Sequence, residues 1–261
     1  MLSISRNCRW FNLHANSEEA TYDTEYISDW NQLIWPTTVL LANITDSTTF
    51  HYRIQEYLRN WLCTSGDTIE YSQLGRAFNT NDASLAQGMN SAFLALIYAQ
   101  MVQESEANVE ADRYTNANYA KRYLCWAQSQ ARYILGDDIR SMFVGVDNNP
   151  PTHIYDRASS CPKDSATTCN ALNALYTPNA NPNIVTGALV YGPGLNGDYF
   201  MDERSSTNET MVSHEYNAGI TGTFAGLNQM VSGNSGYDQC LQGYGVLSKT
   251  ISICNTDSTV S

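Results

Sequence analysis

Residues 200–218 read FMDERSSTNETMVSHEYNA, and the spacing within them governs the reading of the whole chain. Phe200, Asp202, Thr207, Met211, Ser213, Asn217 and Ala218 mark a frame of aromatic, acidic, small and amide positions at fixed intervals. Up to Thr210 the residues are turn-formers and charges. From residue 212 to 231 apolar residues return at helical spacing, which predicts a helix. The stretch is a loop running into a helix, with Glu209, Met211 and Glu215 close to the junction.

Working outward, the first half of the chain reads as helices. Helical spacing of apolar residues predicts a helix over 27–43. Thr48 or Thr49 offers a cap for another over 50–63, and residues 81–84 cap a third over 85–103. That third helix is apolar almost all round and is expected to be buried. A long amphipathic stretch, 107–135, stops at Gly136, a residue suited to a helix C-terminus. From 137 to 210 the periodicity fades into loops rich in Gly, Asn and Pro (Pro150, Pro151, Pro162, Pro178, Pro182 and Pro193). Loops of that length inside a compact domain are commonly functional. The tail after residue 232 is Gly/Ser-rich, then weakly strand-like over 245–254. Paired helices with long loops predict an all-α barrel or helical array rather than an α/β fold, and no regular repeat indicates a solenoid.

The composition narrows the partners. A chain of 261 residues with formal net charge −12 is unsuited to nucleic acid or an anionic membrane. No apolar run reaches the length of a membrane span, and the N-terminus has no continuous apolar region of the signal-peptide kind. Seventeen Tyr and five Trp could furnish sugar platforms, although most such residues pack in cores. The seven Cys include no CxxC, and His14, His51, His153 and His214 have no metal-binding spacing. The segments at 145–149 and 196–198 read as ordinary turns rather than calcium loops. Neither a metal nor a cofactor is expected. Cys161 and Cys169 form a candidate local disulfide. Asn43 and Asn208 begin glycosylation sequons.

Three blocks in order carry a family resemblance. YILGDD at 133–138, NPPTHIYDRASSCP at 149–162, and GALVYGPGLNGDYF with DER and EYNAG over 187–219 resemble motifs of glycoside hydrolase family 9. Weaker matches are SDWNQLIWPTTVLLANIT, similar to that family's Trp-Asp-Asp-Lys helix, and NDASLAQGMNSAFLALIYA, similar to its Trp-Gly-Ser-Leu helix. Together they cover about residues 20–232. The resemblance implies an (α/α)6 barrel, of which this chain holds the C-terminal portion with long ordered loops. The implied parent activity is inverting hydrolysis of β-1,4-glucan. The expected organisation is a segment of unclear role at 1–19, the barrel portion at 20–232 and a tail at 233–261. Family resemblance also implies an extracellular location, in line with the sequons.

Carried over position by position, the resemblance separates kept from altered residues. The family's general acid falls on Met211, whose thioether has no proton to give. Its Asp-Ala-Gly-Asp base motif does not occur. On a continuous helix Glu209 would lie on the opposite face from Met211 and Glu215 one turn further along the same face, so only these two could substitute as acid. The family's two loop histidines fall on Tyr155 and Asp156, while Arg157, Ser159 and Ser160 remain. The Trp of the Trp-Gly-Ser helix falls on Asp82, its Arg on Ala86, and only Trp30 survives of the Trp-Asp-Asp-Lys cluster. Arg157, Asp202, Arg204, Tyr155 and Asp156 remain as candidate ligand-binding residues, with Arg157 or Arg204 pairing to Asp202 or Glu203 as a structural alternative. Gly136, Pro151, Gly187, Pro193, Asn217, Ala218 and Gly219 keep the backbone pattern. The leading expectation is a catalytically degenerate family member that binds β-glucan. The alternatives are part of an active endoglucanase, or a structural subunit. Half a barrel would expose an apolar seam and self-associate or recruit a partner.

Overall fold

The computed structural model describes residues 26–29, 31–63, 68–105, 117–137, 140–164, 166–232 and 240. The expected tail strand, the 1–19 segment and Trp30 lie outside them. Helix α1 is Ile34–Thr45 and α2 is Thr48–Cys63. A short antiparallel strand pair follows, β1 (Ile69–Tyr71) and β2 (Ala77–Asn79), with Glu70 opposite Phe78. Then come α3 (Leu85–Ser105) and α4 (Ala117–Leu135), two single-turn helices α5 (Arg157–Ser160) and α6 (Thr207–Thr210), a π-helical turn at Ala171–Leu175, and α7 (His214–Ser232). The helical character agrees with the sequence reading; the strand pair, only three residues a side, was below what periodicity detects.

Two helix boundaries differ from expectation for local reasons. α1 begins at Ile34 rather than residue 27, because the Asp29 carboxylate accepts from the backbone N–H of Asn31 and Gln32 and closes a turn there. α2 begins with Thr48 and Thr49 already inside the helix, the Ser47 carbonyl accepting from Phe50 and His51 N–H. Asp46, at φ 49°, reverses the chain between α1 and α2 and donates its N–H to the Ala42 carbonyl. So tight a connection sets the two helices antiparallel.

The core lies where α3 meets α4 and α7, with α1, α2 and the strand pair against the opposite side of α3. Trp35 stacks on Tyr57 with centroids 4.6 Å apart, and Trp61 meets Trp126 at 6.2 Å. Two buried polar tips form a chain: the Trp126 indole N–H donates to the Tyr71 hydroxyl at 2.8 Å, which donates to the Trp61 carbonyl at 2.7 Å. Trp35, Trp61 and Trp126 are all buried, so these rings serve packing rather than sugar binding. α7 approaches α3 through Gly219, Gly222 and Gly226. A Cβ on Gly219 would collide with the Asn90 side chain and lie 2.6 Å from its backbone nitrogen, and one on Gly222 would lie 2.7 Å from the Phe93 ring. Thr223 adds a buried hydrogen bond to the Met89 carbonyl at 3.1 Å.

The long loops are held from within. Gly136, at φ +87°, ends α4, with its own N–H and that of Asp137 both directed to the Arg132 carbonyl. Arg76 is 2% exposed and donates to the carbonyls of Ala83, Gly194 and Gly197, tying the strand pair to the 194–198 loop. Its guanidinium also lies 4.5 Å from the Phe78 ring centroid. Burial lowers its pKa, opposed by the nearby Tyr133 and Asp198. Cys161 and Cys169 form the expected local disulfide. A second, Cys125–Cys240, spans 115 residues and gave no local signal in the sequence.

Candidate functional site

The cleft that holds Met211 is built from the N-terminal ends of three helices. Ser28, Asp29, Asn31 and Leu33 line it ahead of α1, Asp82 and Ser84 ahead of α3, and Met211 and Ser213 ahead of α7. Further lining residues continue one to three turns down each helix, so α1, α3 and α7 run parallel around one concavity of about 950 Å³. α2 and α4 contribute none. The walls are largely apolar, with Pro36, Leu40, Phe93, Leu94 and Ile97 below a polar mouth. Among the described residues, three carboxylates (Asp29, Asp82 and Glu215) line the cleft and no Lys, Arg or His does, and Phe93 and Tyr216 are the aromatic residues of its lining.

Met211 does not sit on a helix, which corrects the helical geometry expected for 209–215. α6 ends at Thr210, and Met211 follows with extended φ −61°, ψ 142°. Its carbonyl accepts from Tyr191 N–H at 2.9 Å, its neighbour Val212 bridges Val190, and Met211 itself bridges Tyr155 in parallel. Helix α7 starts only at His214, where the Ser213 hydroxyl accepts from Glu215 N–H at 3.1 Å. Glu215 is exposed and shares the cleft with Met211. Glu209 is elsewhere: it is buried and its carboxylate accepts from Met201 N–H at 2.6 Å and from Asn196 at 3.3 Å. Its role in the structure is to satisfy a loop backbone.

The candidate ligand-binding residues fall into a separate region of loops. Asp202 accepts from the backbone N–H of Thr152 and His153, each at 3.0 Å, and from the Thr152 hydroxyl at 3.0 Å. Its ion-pair partner is Arg140, at 3.3 Å, rather than Arg157 or Arg204. Burial raises the Asp202 pKa, but the hydrogen bonds from His153 and Thr152 and the Arg140 charge outweigh it, leaving the carboxyl below its usual range. Arg204 is 3% exposed, and its guanidinium donates to Asn181 Oδ1 at 2.6 Å and to the carbonyls of Thr177 and Asn179. Asp156 caps α5 by accepting from Ser159 N–H at 2.7 Å. Tyr155 and Arg157 are exposed beside it. None of these five lines the cleft described above. His153, turned toward the Pro178 carbonyl at 3.1 Å, also belongs to this loop frame.

One wall of the cleft holds a network that single-sequence reasoning did not assemble. Gln87 donates to Asp29 at 3.2 Å and to Asp82 at 3.3 Å, and accepts from Ser28 N–H at 3.2 Å. The Tyr191 hydroxyl donates to Asp82 at 2.7 Å. Burial, followed by the bond to Asp82 and its charge, raises the Tyr191 pKa and keeps the phenol protonated as donor. The two residues lie 109 apart in the sequence, and only the fold joins them. Among the described residues no group of three or more His, Cys, Asp or Glu is placed to hold a metal ion, and no helix is long and apolar enough to cross a membrane.

Comparison with known proteins fits this geometry. The profile of Glycosyl hydrolase family 9 matches residues 9–224. Endoglucanase 1 of Persea americana is 28% identical over 241 residues, covering 82% of this chain and 48% of that protein. The solved endoglucanase of the termite Nasutitermes takasagoensis superposes with a TM-score of 0.65 at 27% identity, covering 81% of this chain and 43% of its own. Endoglucanase CelQ of Clostridium thermocellum, solved with cellotetraose, gives 0.66 at 26%, covering 83% and 34%. The chain thus spans less than half the length of each of these three. With the family's profile matching residues 9–224, most of its length, the chain belongs to glycosyl hydrolase family 9.

Proposed function

We propose that this chain is a portion, about residues 20–232, of an (α/α)6 barrel whose cleft binds β-1,4-glucan without hydrolysing it. The observation that carries the reading is Met211: the family's proton donor position lies in the cleft wall and holds a thioether. Inverting hydrolysis needs an acid on the leaving oxygen and a base on water across the ring, the carboxyl groups about 6.5–9.5 Å apart. Here position 211 carries a thioether in place of the acid, while the cleft offers apolar walls and a polar mouth suited to a neutral sugar chain. Its likeness to a protein solved with cellotetraose supports the same ligand class. An extracellular setting agrees with the family and with the sequons at Asn43 and Asn208. Calorimetry with cello-oligosaccharides and release of reducing ends from carboxymethyl-cellulose test the reading together. Heat of binding without turnover is expected; a flat titration removes the ligand, and turnover removes the degeneracy.

A second reading has one observation in its favour. Glu215 is exposed, lines the cleft and is the second residue of α7, four positions beyond Met211. In a longer chain supplying a base, it could donate the proton and leave the enzyme an active endoglucanase. Loss of turnover in Glu215→Gln, measured on such a chain, would support this reading over the first.

A further inference from the structure

The acids of the cleft are held differently from acids elsewhere in the chain. Outside it, Asp202 pairs with Arg140, Asp137 with Arg132 and Glu56 with Arg53. Inside it, Asp29, Asp82 and Glu215 line the wall, and among the described residues none of the three has a cationic partner. The donors to the two aspartates are neutral. Asp29 accepts from the backbone N–H of Asn31 at 2.7 Å and of Gln32 at 2.8 Å. Asp82 accepts from Ser84 N–H at 3.1 Å and from the Tyr191 hydroxyl at 2.7 Å. One amide spans the pair: Gln87, 2% exposed, donates from its Nε2 to Asp29 at 3.2 Å and to Asp82 at 3.3 Å. Two like charges are gathered at a single buried amide, which is a built arrangement rather than scattered surface acid.

Glu215 brings a third charge to the same place. Tyr216, its neighbour in the cleft lining, has its pKa raised first by burial and then by the charges of Asp82 and Glu215. The acid ahead of α3 and the acid on α7 thus act on one phenol. Tyr191 meets Tyr216 edge to face, with centroids 6.0 Å apart. Two rings and two carboxylates therefore share one corner of the cleft. The helix N-termini at the mouth favour ionised acids, but each supplies only about half a positive charge. Three full negative charges outweigh three such ends.

We propose that the cleft prefers a cationic β-1,4-glycan, whose sugars carry 2-amino groups, over the neutral glucan of the same linkage, with Asp82 and Glu215 setting the preference. The proposal rests on the reading that the cleft takes a β-1,4-linked sugar chain, and adds which charge that chain carries. An amino group replaces a hydroxyl with little change in size, so a wall that admits one chain admits the other. Protonated, the amine is a donor only, as the ammonium of Lys is, and suits a lining of acceptors. Each bond to a carboxylate then joins two opposite charges instead of a charge and a dipole. The Tyr216 ring offers a cation an electron-rich face as well.

Calorimetry on the 261-residue chain, comparing the β-1,4-linked tetramer of glucosamine with cellotetraose, is the test. The buffer is mildly acid, to keep the amines protonated, and is used at low and physiological salt. The amino tetramer should bind about tenfold tighter than cellotetraose at low salt. That advantage should shrink with added salt, which screens charges over about 10 Å at 0.1 M, while cellotetraose binding stays level. Glu215→Gln and Asp82→Asn should each weaken the amino tetramer about threefold and cellotetraose less. Glu70→Gln, exposed on β1 and outside the cleft lining, should change neither. Equal affinities, or tighter cellotetraose, overturn the proposal and leave the sugar reading standing. An equal loss in Glu70→Gln also overturns it, because the attraction would then belong to the net charge of −12. Heat from neither tetramer removes the sugar reading and the proposal together.

Discussion

The loop frame and the cleft wall have met opposite fates on one scaffold. In the frame, several residues within the matched motif blocks hold the backbone, although Tyr155 and Asp156 stand where the resemblance puts histidines. Asn217 holds the 187–189 turn, accepting from Leu189 N–H at 3.1 Å and donating to the Gly187 carbonyl at 2.7 Å. Gly219 allows α7 to reach α3, Ser213 caps α7, and Asp202 and Arg204 lock loops that carry few other restraints. In the cleft, position 211 holds a Met, and Asp82 and Tyr191 form a hydrogen-bonded pair. Residues that close the backbone cannot be exchanged without leaving buried polar groups unpaired, which costs stability directly. Residues that only face a ligand can be exchanged once that ligand's chemistry is no longer required. The contrast explains how a family signature can be legible while its catalytic letter is missing.

Substitutions in the two regions should therefore differ in size, and the largest tests the frame. Gly219→Val forces a side chain into Asn90 and its backbone, and should cost about 3 kcal/mol or more, read by urea unfolding. Arg204→Met leaves Asn181 and two backbone carbonyls without their donor and should cost about 3 kcal/mol, with faster proteolysis in the 177–181 loop. Cys161→Ser opens a short loop and should lower stability by about 2 kcal/mol in the same assay.

The pH dependence of Asp202 comes next. Because its pKa is depressed in the folded state, its stabilising contribution is present above the unfolded carboxyl value, about 3.9. It is lost as pH falls through the folded value. Thermal unfolding should weaken in acid below about pH 4, and Asp202→Asn should flatten that acid limb while lowering stability at neutral pH. The smallest effect belongs to the cleft. Met211→Leu, close in volume on a half-buried wall, should change stability by less than about 1 kcal/mol. A loss as large as that of Gly219→Val would place Met211 in the frame and dissolve the contrast.

Much of the architecture was open to reading before the coordinates. The amphipathic pattern of α4, the stop at Gly136 and the polar caps around residues 81–84 locate helices because they reflect local energetics. The Cys161–Cys169 bridge was legible for the same reason, its ends lying eight residues apart. The geometry around Met211 was not. Helical spacing relates Glu209 and Glu215 to Met211 only on a continuous helix, whereas the backbone hydrogen bond from Tyr191 and the bridge to Tyr155 hold Met211 in an extended segment. That turns Glu209 into a loop anchor and leaves Glu215 as the carboxylate next along the chain in the cleft.

The sequence by itself determined which residues are helical, which family they belong to and that no proton donor stands at position 211, since these depend on local pattern and residue identity. Only the tertiary structure decided that Asp202 and Arg204 are fasteners, that Arg140 rather than Arg157 neutralises Asp202, and that Asp82 in the cleft wall accepts from Tyr191. A contact between residues distant in sequence is set by how helices and loops come together, and nothing in either residue's neighbourhood along the chain encodes its partner.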